Sequence, residues 1–469
     1  MQSRPEREDP TSWWYQAAVH GTHAANPLKE WNQCTHFTWY FVSWHRAFLY
    51  YFEEIVRAAI GEIHGAEAAE GWALPYWNYC RGGDFSKLPD AFREAHRKDG
   101  SPNPLFIPQR DPVMNAGGTM LDEAVESDWA LGRPHFIGRA EFGGKKEKIA
   151  QFGNSTSSGV LEGTPHGSVH NGVGGENGWM KDIKAAAKDP IFWLHHCNID
   201  RIWSQWVSLG EGRENPNDPI WLEQVFEFND AAGKVATKSS IELVDTKALD
   251  YEYDSVDGIP KAGAPKTGAP KAGATEAETA VAVPASAGQS GEGEGSSAPI
   301  QSKIVGASET KLTLSGEPAA IPVEIDARAR EEVREASTVT DPRRLYLNIE
   351  NIEGEANPGI SYGIYVNLPK GADAKTKREH HVGNVSLFGI EHAAAPLKDE
   401  PAHSVAASVE IGALLRALGG GEQFDEEGIN VTFLPLRPVP PKGREEEFSR
   451  PEEEAPPVRI GRVSLAVDS

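Results

Sequence analysis

The 469-residue chain has only three cysteines, Cys34, Cys80 and Cys197, so no disulfide framework holds it together. It has no run of 18 apolar residues, which excludes a helix of membrane-spanning length, and no membrane partner is expected. Positive charge is scarce: 46 Lys and Arg against 69 Asp and Glu leave a formal charge of −23. Such a field repels nucleic acid and anionic lipid, so no nucleic acid partner is expected either. The first ten residues hold no apolar stretch of the kind that signals export, and a cytoplasmic location is the expectation.

Aromatic residues are missing from the middle of the chain. All thirteen tryptophans lie at or before Trp221, and no Phe, Tyr or Trp occurs between Tyr253 and Tyr346. That gap contains a five-residue repeat beginning at Pro260, Pro265 and Pro270, followed by a Gly/Ser/Glu-rich stretch. Such composition reads as a flexible linker. The chain therefore divides into a first domain over 1–254, a linker over 255–301 and a second domain over 302–469. The first reads as mainly helical, with helices expected over Thr11 to His20, Val42 to Gly61, around His166-His170 and over Asp189 to Leu209, and loop over most of Tyr76 to Ser157. In the second, Leu345 to Ile352, Tyr362 to Leu368, Asn384 to Ile390, Ile429 to Leu434 and Val458 to Leu465 alternate like strands, with one helix over Ser408 to Ala417. A β-rich sandwich or barrel follows.

Histidine is what the first domain has in quantity. His20, His36 and His45 form an early cluster, with His23 nearby; His166, His170, His195 and His196 form a later one. The stretch from Asp189 to Trp203 reads as a buried helix with Asp189 as N-cap, Pro190 in its first turn and apolar residues nearly all round. Adjacent histidines there need partners, and on this stretch alone a metal and a pair of hydrogen-bonded core histidines are equal alternatives. His166 and His170, four apart, share a helix face and can grip one ion. His195 and His196 project about 100° apart on a helix, so only one is expected to face that ion. Asp200, four past His196, is placed to accept a hydrogen bond from its ring, which favours His196. His36 and His45 fall on opposite faces of any continuous helix, so His36 precedes the helix that carries His45. Two triplets suggest two ions. No carboxylate recurs at ligand spacing, which disfavours Mg²⁺, Ca²⁺ and a carboxylate-bridged di-iron site; neutral imidazoles suit zinc, copper, iron or nickel.

The pattern His36-x4-Phe41-Val-x-Trp44-His45-Arg46-x2-Leu49-x3-Glu53 resembles the first copper signature of tyrosinases and polyphenol oxidases (catechol oxidases). Asp189-Pro190-x-Phe192-Trp193-x2-His196-x3-Asp200 resembles the second, in which the second histidine of the pair is the ligand. The similarity covers about His20 to Trp206. Tyr251-x-Tyr253 resembles the tyrosine motif closing that catalytic domain, and part of the C-terminal region resembles the β-rich domain after the linker in plant polyphenol oxidases. The resemblance implies a type-3 pair of copper ions in a four-helix bundle, with dioxygen as co-substrate and small phenols as substrates. It places one copper on His20, His36 and His45 and the other on His166, His170 and His196. Cys34 matches a fungal arrangement in which the cysteine is thioether-bonded to His36; a buried free thiol is the alternative. Glu162 matches a carboxylate that orients an active-site water. Gly167 stands where bacterial tyrosinases carry an asparagine that helps the water accept a phenol proton, and Asn171 follows His170 instead, which sets monophenol hydroxylation in question. Ile183 falls at a position that gates the copper, with a plain core isoleucine an equal alternative.

The chemistry so implied is oxidation of o-diphenols, with monophenols as a second substrate class of the family, to o-quinones, with Glu162 acting through water as base and Trp39, Phe41, Phe192 and Trp193 as candidate walls. The resemblance further implies a latent pro-enzyme: a C-terminal domain that covers the site, inserts a side chain, and is released by an activating protease. The loop Glu355 to Tyr362 is the candidate plug, through Ile360 or Tyr362. An o-aminophenol oxidase, a haemocyanin-like oxygen carrier and a dizinc hydrolase are the competing readings; a cleavable linker after one catalytic unit favours the oxidase.

Overall fold

The computed structural model describes residues 1–147, 158–255, 302–338, 343–393, 405–418, 428–448 and 455–468. The linker expected over 255–301 lies, from 256 on, outside the described residues.

Four helices from three stretches of the first domain converge on the histidines. Helix α1 (Trp13–His20) starts where the Ser12 side chain accepts a hydrogen bond from the Tyr15 amide, and ends on His20. Helix α2 (Phe41–His64) is the longest at 24 residues. Helix α3 (Ser168–Gly174) follows a π-helical turn, Glu162–Gly167, kinked at Thr164 and Pro165. Helix α4 (Ile191–Ser208) buries Ile191, Phe192, Trp193, Ile199, Ile202, Trp203 and Trp206 at 0–1% exposure. Each such side chain stabilises the fold by about 1.5–3 kcal/mol, so α4 forms the centre of this domain's core.

The start of α4 is fixed from a distance. Asp189 accepts from the Ile191 amide at 3.0 Å and is gripped by Arg110, whose Nε and Nη2 donate to its two carboxylate oxygens at 2.8 and 2.6 Å. Both partners are 0–1% exposed. The Arg110 guanidinium also donates to the carbonyls of Phe92 and Leu105, which ties the 88–110 loop to the helix end. A hairpin of strands β1 (Val225–Asn229) and β2 (Val235–Ser239) completes the domain.

Among the described residues the second domain is built on one antiparallel nine-stranded sheet. Its strands are β3 (Ser302–Ala307), β4 (Leu312–Leu314), β5 (Ala319–Ile325), β6 (Arg344–Glu353), β7 (Ser361–Val366), β8 (His381–Val385), β9 (Val405–Glu410), β10 (Gly428–Leu436) and β11 (Val458–Asp468). The order is β8-β7-β10-β5-β3-β11-β6-β9, with β4 also paired to β11. The ends of this order curl together until Val409 on β9 packs against Gly383 on β8, giving a nearly closed barrel. Its interior is aliphatic: Val305, Val323, Leu347, Ile349, Ile364, Val431 and Leu465 are fully buried.

Two expectations need correction. Ser408 to Glu410 are strand, not helix, because they pair with Tyr346 to Asn348, and the helix covers only Gly412–Ala417. The strand expected over Asn384 to Ile390 runs instead over His381–Val385; Ser386 onward leaves the sheet. Strands β3 to β5 lie in the aromatic-free stretch and went unread, although β5 alternates buried and exposed residues along most of its length.

The domains meet across polar contacts. Arg133 pairs with Glu410 at 3.1 Å, Arg139 with Asp468 at 3.1 Å, and Arg344 with Glu141. Asn384 donates to the Glu123 carbonyl at 2.6 Å, and Thr119 bridges to Val439.

Candidate metal centre

His20, His36, His45, His166, His170, His195 and His196 are all buried, at 0–2% exposure. Four of them are fastened in the same way. The Nδ1 atoms of His20, His45, His166 and His170 lie 3.0, 2.8, 3.0 and 2.6 Å from the carbonyl oxygens of Ile183, Phe41, Glu162 and Met180. A carbonyl only accepts, so each Nδ1 carries the proton and each Nε2 presents a lone pair. Burial, and then neighbouring imidazoles, hold His20 and His166 well below the usual histidine range, and burial takes His45 and His170 down to about 3. The rings are therefore neutral at physiological pH. The Nε2 atoms of His20, His45 and His166 find no hydrogen-bond partner among the described residues, while His170 Nε2 faces His196 Nε2 at 3.3 Å.

The rings form two facing triplets. Centroids of His20, His36 and His45 lie 5.2–5.6 Å apart, and those of His166, His170 and His196 lie 4.6–5.5 Å apart. Across the gap His36 is 5.7 Å from His166, and His45 stacks on His196 at 4.4 Å. Donor atoms within 4.8 Å of one another come from three groups: His166, His170, His195 and His196; His20, Cys34 and His36; and His20, His45 and His196. Several neutral nitrogen lone pairs, buried and converging, are costly without a cation to share. The donor set fits a metal pair of the imidazole-loving kind.

Two placements differ from the expected ones. Asp200 does not serve His196. Its Oδ1 takes the Arg46 Nε at 2.6 Å, and its Oδ2 takes the hydroxyls of Tyr251 and Tyr253 at 2.7 and 2.6 Å. The carboxylate is consumed by a buried cation and two phenols, which lace α2 and α4 to the end of the domain. His195 also reaches the donor group that it was expected to face away from, with its Nδ1 2.9 Å from the Tyr79 hydroxyl and its ring stacked on His166.

Glu162 sits at the mouth of the kinked turn. Its Oε1 accepts from the Phe37 amide at 2.7 Å, and its Oε2 has no hydrogen-bond partner among the described residues. Burial pushes its pKa up to about 8. Cys34 is fully buried, and burial, then the Glu162 charge, hold its thiol well above the usual range. Of the candidate walls, Phe41 lies 4.6 Å from His166 and Phe192 lies 4.1 Å from His196. Trp193 stacks on Phe52, and Trp39 donates its indole N–H to the Glu147 carbonyl, so both serve the core.

Neither Ile360 nor Tyr362, the expected plug residues, sends its side chain to the histidines. Tyr362 belongs to β7 and accepts from the Gly316 amide inside its own domain at 2.8 Å; Ile360 is buried in that domain's core. The side chain that reaches the histidines is Phe388, from the segment that leaves the sheet after β8. Its ring stacks on His170 at 4.1 Å and 19°, 5.5 Å from His166 and 5.9 Å from His36. The segment fits closely: a Cβ on Gly167 would stand 2.2 Å from Ser386 Oγ, and one on Gly389 would stand 3.1 Å from the Phe37 ring. Ile183 is fully buried beneath Gly389 and orients His20 through its carbonyl. Asn171 turns to the second domain: it donates to Ser361 Oγ at 3.0 Å and accepts from Asn357 Nδ2 at 2.8 Å. Sequence reading missed Phe388, Phe37, Tyr79 and Asn357. The adjacent pair Leu387-Phe388 before Gly389, which breaks alternation, was the available signal for the first.

The model of the common central domain of tyrosinase matches residues 10–130 and 128–209, and a domain of unknown function (DUF7868) matches 301–467. A tyrosinase of Hahella sp. is 30% identical over 465 residues, covering 93% of this chain and 90% of its own. The chain belongs to the tyrosinase family. Its cofactor is the type-3 copper pair of that family, and it is an oxidase of the tyrosinase and catechol oxidase kind. The chloroplastic polyphenol oxidase of Malus domestica is 26% identical over 404 residues, 80% of this chain and 63% of that one. Latent apple tyrosinase superposes with a TM-score of 0.60 at 20% identity, covering 100% of this chain and 92% of that chain. A latent aurone synthase superposes at 0.62 and 18% identity, covering 100% and 84%, so both domains share the fold of these tyrosinases. No described helix is long and apolar enough to cross a membrane.

Proposed function

We propose that this tyrosinase-family chain is a latent diphenol oxidase, converting o-diphenols to o-quinones with dioxygen, closed by Phe388. The observation that carries the reading is one arrangement: buried Nε2 lone pairs aimed into a gap that an aromatic ring from the other domain covers. His20, His36 and His45 would hold one copper. His166, His170 and His196 would hold the other, with His196 preferred to His195 because it also faces His45 across the gap. A bound copper pair would supply dioxygen binding and the two-electron redox chemistry of the diphenol oxidation.

The protein's own residues do the rest. Phe41 and Phe192 pack on His166 and His196 and keep water from them, and the Phe388 ring on His170 marks where a phenol ring would lie. Glu162 Oε2, held in place through Oε1 by the Phe37 amide, takes the hydroxyl proton directly or through one water. Its raised pKa matches it to a proton transfer near neutral pH. Cys34 would be joined to His36 through a thioether, which would fix that ring; alkylation of an intact Cys34 thiol in the copper-loaded protein would remove this element. Cleavage between 256 and 301 would let the second domain, and Phe388 with it, depart.

Copper analysis tests the assignment. The loaded protein should hold two ions per chain, His196→Asn and His45→Asn one each. Two ions retained in both variants would overturn the ligand set.

A further inference from the structure

The loop between β6 and β7 sends no side chain into the histidine cluster, and its polar contacts fall around His170. Asn357, 4% exposed, donates through Nδ2 to Asn171 Oδ1 and to the Lys181 carbonyl, each at 2.8 Å. Its own carbonyl accepts from Lys181 Nζ at 3.0 Å, and its Oδ1 accepts from the Gly359 amide at 2.9 Å. Ser361 accepts from Asn171 Nδ2. Gly359 presses so closely on Gly175, at the end of α3, that a Cβ there would stand 1.8 Å from the Gly175 carbonyl oxygen.

Asn171 is the residue after His170. Lys181 is the residue after Met180, whose carbonyl holds His170 Nδ1 at 2.6 Å. One asparagine of the second domain therefore holds the residue after His170, through its side chain, and the residue after the Met180 that anchors His170, through its carbonyl. A domain that only covered the site would not need this. Fully satisfied buried networks fix geometry, and partners of this kind tune the ligands they hold.

We infer that Asn357 is a positioning residue for His170, so that closure of the second domain and binding of the second metal ion reinforce one another. This rests on His170 being a ligand. Linkage makes the effect reciprocal: if closure tightens the second ion, the second ion tightens closure by the same factor. Release of the domain then lowers the hold on one ion of the pair as well as opening the site.

The test is stepwise loading of the uncleaved, metal-free full chain with cobalt(II), followed by its ligand-field absorption, with copper competition for affinity. In Asn357→Ala the affinity of one of the two ions should fall about tenfold, the usual size for a lost ligand-orienting partner, with a changed spectrum for that ion alone. Gly359→Ala, which blocks docking of the loop without removing a hydrogen-bonding side chain, should give the same change. Cleaving the parent chain should reproduce it, and cleaving Asn357→Ala should add little. Equal affinities and spectra in parent and variants overturn the inference, and so does an equal loss at both ions, which would mean general loosening. A parent chain that binds fewer than two ions overturns the ligand assignment itself, and the inference with it.

Discussion

Phe388→Ala is the sharpest perturbation of closure. The ring is 5% exposed and packs in the core of the first domain, although it belongs to the second. Truncating a phenylalanine in a packed core costs about 3–5 kcal/mol. In the undocked domain the same ring faces water, so the cost falls on the closing equilibrium rather than on the fold of either domain. At about 1.4 kcal/mol per decade, a loss of ~3 kcal/mol shifts the open fraction roughly a hundredfold. The pairs Arg133–Glu410 and Arg139–Asp468 and the Asn357 contacts remain, so the domain stays attached and the gain is capped by the activity of cleaved protein. Oxygen uptake with 4-methylcatechol, using copper-loaded uncleaved protein, measures it directly. Phe388→Leu, which keeps most of the volume, should stay near the latent level. An uncleaved Phe388→Ala chain as inactive as its parent, with both activated equally by cleavage, would refute the reasoning.

Other outcomes follow from single contacts. Asp189→Asn leaves Arg110 buried without its carboxylate and should destabilise the first domain by about 3–5 kcal/mol, read by denaturant unfolding; an unchanged midpoint would contradict it. Glu162→Gln keeps the acceptor for the Phe37 amide but not the base, so kcat for a catechol should fall about 10²- to 10⁴-fold with two coppers still bound; unchanged kcat removes the proton role. Glu391 is raised from 4.5 to about 7 in the closed form, by burial first and then by Asp182. The closed form thus prefers the protonated acid, and this contribution to closure is complete below 4.5 and lost as pH rises through 7. Burial lowers His381, which acts in the opposite sense, so the comparison is between parent and Glu391→Gln. The uncleaved-to-cleaved activity ratio should rise with pH more steeply in the parent; identical slopes would contradict it.

Much of the catalytic domain was legible because its chemistry is local. Histidines four apart on a helix, an N-cap aspartate before proline, and apolar residues round the full helix each carry their reading within a few residues. What the sequence hid was set by partners far along the chain. Asp200 looked free to serve His196 because Arg46, Tyr251 and Tyr253 are distant in sequence, yet together they saturate it. His195 was expected to turn away on helical geometry, but the ring swings round to Tyr79 and His166. Phe388 read as part of a strand because Asn384 to Ile390 is apolar enough for one; only the fit of Ser386 against Gly167 and of Gly389 against Phe37 shows that the segment leaves the sheet. The sheet itself was half legible: β6, β7, β10 and β11 carry their alternation in the sequence, whereas β3 to β5, next to the low-complexity linker, did not stand out from it.

The most direct test of the account is oxygen consumption by the two-copper protein with 4-methylcatechol, before and after cleavage between residues 256 and 301. The account predicts a low rate before cleavage, a large rise after it, and quinone formed at two molecules per dioxygen consumed. Copper-loaded, cleaved protein that binds dioxygen reversibly but turns over no catechol would contradict it.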